Sequence, residues 1–305
     1  MRKEKGEKGK EENSTKKQPK AINWFKRPRL NPSDKLVSTH SNCLKYCLLF
    51  ILLSFSTLSL AQDWELVRSF PVPRIHKLQV DRYGSLFVAD RNGNIFKLDS
   101  LGKTLETYSP IGGALPSDLQ VSQSVNVFAF YEDWQRFVLL DRFLGNARTY
   151  EFSDSEEIGY VKSACWASDG NIWLFDQSDF SLKKYNPTTK SILLSLPFNF
   201  SLENEELEIT QLREHEGKII GISENKIFVF SFTGNLEWSF EAENISEIGF
   251  REKSVFWIGE QGKVNFWNFF KNTQSTIQLP KLVAKLDCYN GNWIGYFKGN
   301  IHFYK

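Results

Sequence analysis

Histidine and cysteine number only four each in 305 residues, and methionine occurs once, at Met1. So few ligating side chains leave little material for a metal centre, and neither a CxxC pair nor a Cys/His cluster at zinc spacing is present. The GxSxG elbow and the HExxH helix are missing too, which removes two common hydrolase signatures. His76, His215 and His302 are spread along the chain rather than gathered. "GEKGK" near the start lacks the strand and helix that a phosphate loop requires. Long apolar periodicity of the helical kind is absent, so little helix is expected.

Charge is unevenly placed. Residues 1–61 hold 13 of the 38 Lys+Arg and 5 of the 36 Asp+Glu, which leaves 25 basic against 31 acidic residues downstream, a net −6. A mildly acidic body offers no nucleic-acid surface and no match to an anionic membrane. Residues 1–43 are Lys/Glu/Gly-rich without apolar periodicity and read as a disordered basic extension.

Leu44 to Ala61 is different: one Lys, an apolar run of about fifteen residues, then Ser59-Leu60-Ala61 as a small-x-small cleavage site. The run is short of the about 20 residues of a membrane span, so it reads as a secretory signal peptide that leaves no stable span once cut. Translation from a non-AUG codon at Leu44, which would place residues 1–43 outside the natural chain, reconciles its internal position with the single methionine. An uncleaved anchor with a basic tail is the alternative. The expected domain is thus residues 62–305, exported to the periplasm or the cell surface. Cys165 and Cys288 remain in it, as two buried small hydrophobes or, in an oxidising compartment, a disulfide.

The body repeats. "GSLFVAD", "VNVFAFYED", "GNIWLFDQ", "GKIIGISEN", "SVFWIGEQ" and "GNWIGYFKG" start at Gly84, Val125, Gly170, Gly217, Ser254 and Gly291, in steps of 41, 45, 47, 37 and 37 residues. That is the length of one four-stranded propeller blade. The first unit parses as "HKLQVD", "SLFVAD", "NIFKLD" and "TLETYS", with tight turns at Tyr83-Gly84, Asn92-Gly93 and Leu101-Gly102. The last unit has only three strands, whereas "DWELVRSF", 63–70, is a strand without a blade. If the spare strand completes the last blade, the ring closes and no edge stays unpaired. The expectation is an all-β, six-bladed β-propeller closed by strand 63–70.

"LFVADRNGNIFKLDSLGK", Leu86 to Lys103, resembles the repeat of NHL-type six-bladed propellers, and "SDGNIWLFDQSDFSLKKYNPTTK" is similar to periplasmic sensor-propeller repeats. The resemblance implies the fold and a bacterial exported protein. Copies two, four and five depart from the motif at the turn, with "YEDWQRF", "SENKIFV" and "EQGKVNF".

Three sets of residues are candidates for function. Asp90, Glu132 with Asp133, Asp176, Glu224 and Glu260 end strand b in five copies, with Lys298 in the sixth, and could form a negative rim on one face. They could equally be turn-formers that accept bonds from nearby amides. Gln79, Gln120 and Gln211, with Arg213, Glu247 and Asp287, fall in the inner strands and could line the channel for a ligand or for ordered water. Trp173, Trp257 and Trp293 lie inside strand b, where they would fill wedges between blades, but Trp134 sits at a hairpin tip and with Tyr131 is the candidate for exposed recognition. No catalytic set and no cofactor are expected. The composite reading is a non-catalytic scaffold for an envelope protein or glycan; the alternative is a metal-assisted hydrolase or lactonase at the channel mouth.

Overall fold

The computed structural model describes residues 64–305 apart from 73, 122–125, 199–207, 243–244 and 246. The basic extension and the signal-like segment lie outside the described residues. The turns explain how this sequence folds locally. In Asp81-Arg82-Tyr83-Gly84, Asp90-Arg91-Asn92-Gly93 and Asp99-Ser100-Leu101-Gly102, one carboxylate oxygen accepts the amides two and four residues on, at 2.8–2.9 Å. Glycine then takes φ of 79–85°, a left-handed conformation that costs it little. Each Asp-x-x-Gly thus fixes a hairpin and its register.

Six antiparallel four-stranded sheets result. In order a to d, blade one is Ile75–Val80, Leu86–Asp90, Ile95–Leu98 and Thr104–Tyr108; blade two is Asp118–Gln120, Asn126–Tyr131, Arg136–Asp141 and Arg148–Glu151. Blade three is Val161–Trp166, Ile172–Asp176, Ser181–Asn186 and Ser191–Pro197; blade four is Gln211–His215, Lys218–Ile222, Lys226–Ser231 and Leu236–Glu241. Blade five is Ile248–Arg251, Ser254–Ile258, Lys263–Asn268 and Thr273–Gln278. Blade six is Lys285–Tyr289, Asn292–Phe297, Asn300–Tyr304 and, as its strand d, Leu66–Pro71. The only helical elements among the described residues are two short 3₁₀ turns, Phe152–Asp154 and Glu260–Gly262. None is long and apolar enough to cross a membrane.

The closing strand is where the strand count placed it. Leu66 pairs with Tyr304 and Pro71 with Asn300, and Glu65 and Lys305 exchange backbone bonds just beyond. Phe70 packs on Phe303 at 5.8 Å between ring centres and lies against Gly102 of blade one. Trp64 lies edge-on to Trp293 and Tyr304 and donates its indole N–H to the Gln278 carbonyl of blade five at 2.7 Å. The segment therefore fastens blade six to both neighbours.

The core is divided into wedges, one between each pair of blades. Strand b is the most deeply buried, every residue of Leu86–Asp90 and Ile172–Asp176 being inside, while strand d, as in Thr104–Tyr108, lies mostly exposed on the outside. Trp173, Trp257 and Trp293 fill wedges as their position in strand b implies. Cys165 and Cys288 are both free thiols.

Candidate functional site

Strand a is innermost in every blade, so its alternation decides what the channel holds. Leu78, Leu119, Ala164, Leu212, Ile248 and Leu286 point back into the preceding wedge. The residues after them, Gln79, Gln120, Cys165, Arg213, Gly249 and Asp287, form one level of the ring by the register of the a–b hairpins. The residues before them, Lys77, Asp118, Ser163, Gln211, Glu247 and Lys285, form the other. Gln211 therefore does not share a level with Gln79 and Gln120 as the lettering suggests. Leu212 is the wedge residue, and Arg213 takes the matching place.

The channel groups bond mainly to one another. Arg213 grips Asp118 from across the ring with both guanidinium nitrogens, one contact measuring 2.6 Å. Gln120 donates to Asp118 at 2.7 Å and to the Ala164 carbonyl at 3.1 Å, and accepts from the Trp166 amide. Glu247 sits between Lys77 at 3.0 Å and Lys285 at 2.5 Å. Burial works against its charge, but the two ammonium groups outweigh it and hold its pKa below the usual range. Gln79 donates to the Leu78 carbonyl at 3.0 Å. Asp118, Lys77 and Lys285 escaped the sequence reading, although Asp118 and Lys77 begin the matching runs "DLQV" and "KLQV".

Asp287 stands apart. It accepts the Val80 and Cys288 amides at 2.8 Å each, yet burial pushes its pKa up to about 7. The folded chain then keeps a proton that an unfolded Asp, with a pKa near 3.9, has released. Stability contributed by this group is full below about pH 4 and is lost as pH rises toward 7. Asp287→Asn should therefore gain on the parent protein by on the order of 2 kcal/mol between pH 5 and pH 8, read from urea unfolding at the two values. Parallel stabilities at both pH values would contradict it.

Two hollows open on opposite faces. The mouth on the a–b side, about 540 Å³, is bordered by Arg82, Arg213, His215, Arg251, Asp287 and Tyr289 among others. His215 stacks on Phe250 with ring centres 4.3 Å apart, and its pKa is lowered by burial. The larger hollow, about 800 Å³, opens on the b–c side between blades one and six.

The proposed negative rim on the b–c side is largely dissolved into structure. Asp90 is buried and caps its own turn through Asn92 and Asn94. Asp176 is fully buried, accepts the Gly159 and Ser178 amides and holds Lys183 at 2.7 Å. Glu132 is held by Lys162 at 2.9 Å and Tyr160 at 3.0 Å. Asp133, Glu224 and Glu260 alone remain exposed, on blades two, four and five. The turns of blades one and six carry Arg91 and Lys298 there instead.

Tyr131 is not a surface residue: at 1 % exposure it closes strand b inside the wedge between blades one and two, and burial drives its phenol pKa upward. Trp134 is at the hairpin tip and 38 % exposed. The Arg136 guanidinium lies 3.9 Å from its ring centre, and the indole rests on Gly112, where any Cβ would come within 2.7 Å. Beside it the same loop exposes Ile111 (90 %) and Leu115. Among the described residues no three His, Cys, Asp or Glu side chains are grouped to hold a metal ion.

The class so defined is the six-bladed β-propeller. No family model matches the sequence, and no curated protein does. Solved structures of similar shape include a streptogramin B lyase (15 % identity, 76 % of this chain and 78 % of that one, TM-score 0.53). The virginiamycin B lyase of Staphylococcus aureus is another (12 %, 77 % and 83 %, 0.54). A third is the Cps50 (Swd1) β-propeller domain of Myceliophteria thermophila (11 %, 79 % and 99 %, 0.57). At such identities the likeness establishes the fold alone, and this fold hosts unrelated activities.

Proposed function

We propose that the chain is an exported, non-catalytic propeller of the NHL-like, bacterial type that presents its b–c face to a protein or glycan of the cell envelope. The observation that carries this reading is Trp134, an indole at a hairpin tip that packs between Arg136 and the Gly112 loop, with Ile111 and Leu115 of that loop exposed. A pre-organised aromatic next to apolar neighbours is the usual anchor of an interface. The channel supports the same view, because Arg213, Asp118, Glu247, Lys77 and Lys285 are committed to each other. The export part of this reading rests on the signal-like sequence Leu44–Ala61, and the compartment it proposes is the periplasm or the cell surface.

Trp134→Ala supplies the test. Because the side chain is partly exposed, its thermal midpoint should fall by no more than about 4 °C, corresponding to about 1 kcal/mol. Binding to an immobilised envelope glycan array should drop by about tenfold or more. Full binding by the variant would remove this face from consideration.

A further inference from the structure

The hollow between blades one and six has a chemistry that the acidic body does not share. Among the described residues that line it are Arg74, His76, Arg91, Lys285 and Lys298, and no described acid is with them. Arg74, Arg91 and Lys298 are exposed and form no ion pair with any described residue. Lys285 is paired, but it shares the single carboxylate of Glu247 with Lys77, so that cluster also keeps one positive charge in excess. His76 is tied to the Pro116 carbonyl at 3.1 Å, and burial and the neighbouring lysines lower its pKa. Gathering like charges in a concavity raises the local potential and favours an anion there.

The rest of the lining narrows the ligand. Ile75, Leu115, Ala284 and Tyr296 contribute apolar and aromatic side chains to the same lining. Cations alone would serve an acidic peptide as well, since basic clusters read acidic motifs. The apolar and aromatic residues of the same lining add a face that a sugar ring can cover and that a polyglutamate has no ring to use. Apolar and aromatic residues lining one hollow with cations suit sugar rings that carry carboxylates. We propose that this hollow binds an acidic oligosaccharide, with its carboxylates on Arg91, Lys298 and Arg74 and its rings on Leu115 and Tyr296. The proposal rests on the reading of the b–c face as the binding face and names its ligand class.

Calorimetric titration of the purified protein with trigalacturonate, maltotriose and triglutamate tests it. Trigalacturonate should bind, weaken as salt is raised, and exceed the other two by about tenfold or more. The double variant Arg91→Ala/Lys298→Ala, whose two side chains are on the surface and whose fold is checked by circular dichroism, should lose about tenfold or more in affinity. No binding of trigalacturonate, equal binding of maltotriose or triglutamate, or an unchanged double variant would each overturn the proposal. If maltotriose binds equally and Trp134→Ala abolishes that binding, the acidic ligand is wrong while the binding face stands.

Discussion

Asp118→Asn should lower the unfolding free energy by about 3 kcal/mol, read from urea unfolding, and the thermal midpoint by on the order of 10 °C. The reason is asymmetry. Arg213 is nearly enclosed, and two of its donors end on Asp118 while another bond goes to the Leu212 carbonyl at 2.9 Å. Removing the carboxylate's charge leaves a guanidinium out of water without a counter-ion, which costs far more than the intact pair contributes. Gln120 also loses its charge-assisted acceptor at 2.7 Å, so the link from blade two to blade three weakens. The paired change Asp118→Leu/Arg213→Met removes both charges and should recover most of the loss. A loss below about 1 kcal/mol for Asp118→Asn would mean that water, not Asp118, satisfies Arg213.

The largest effect is expected from a chain that begins at Val72. It lacks the Leu66–Pro71 strand and with it the Phe70–Phe303 contact, the Trp64 indole bond and the pairing of Asn300–Tyr304. Blade six is then left with three strands and an open edge beside Trp293 and Tyr304, a template for pairing with another chain. Such a protein should elute from a sizing column as dimers and aggregates and should lose its single cooperative unfolding transition. A synthetic peptide covering residues 64–72, added in trans, should restore the monomer by strand addition. A monomer with an unchanged midpoint would show that closure contributes little.

The architecture was legible because local chemistry repeats it. Asp-x-x-Gly sets the tight turns of blade one, alternation sets the faces, and one spare strand against one missing strand leaves a single way to close. The site was less legible, for reasons visible in particular residues. Gln211 matches Gln79 by letter, but the wedge residue Leu212 decides the level, and only packing reveals that. Asp90 and Asp176 have the same sequence setting as the exposed Glu224, yet bonds from their own turns and from Lys183 draw them inside. Tyr131 ends a strand whose alternation points it inward, three residues before a tryptophan that stays out. The basic hollow was invisible in sequence because Arg91 and Lys298 belong to the first and last blades, which meet only when the ring is closed.

Closure by the first strand also fixes a temporal order. Leu66 pairs with Tyr304, more than two hundred residues later, so the first of the described strands has no partner until the last of them exists. Five blades can form as short-range hairpins while the chain is still growing, but the sixth is a non-local contact that comes last and slowly. Throughout that interval Leu66–Pro71 is an unpaired strand, and Asn300–Tyr304, once paired with Asn292–Phe297, keeps its other edge open. The join that makes the finished ring secure is thus the point at which two half-made copies could trade strands.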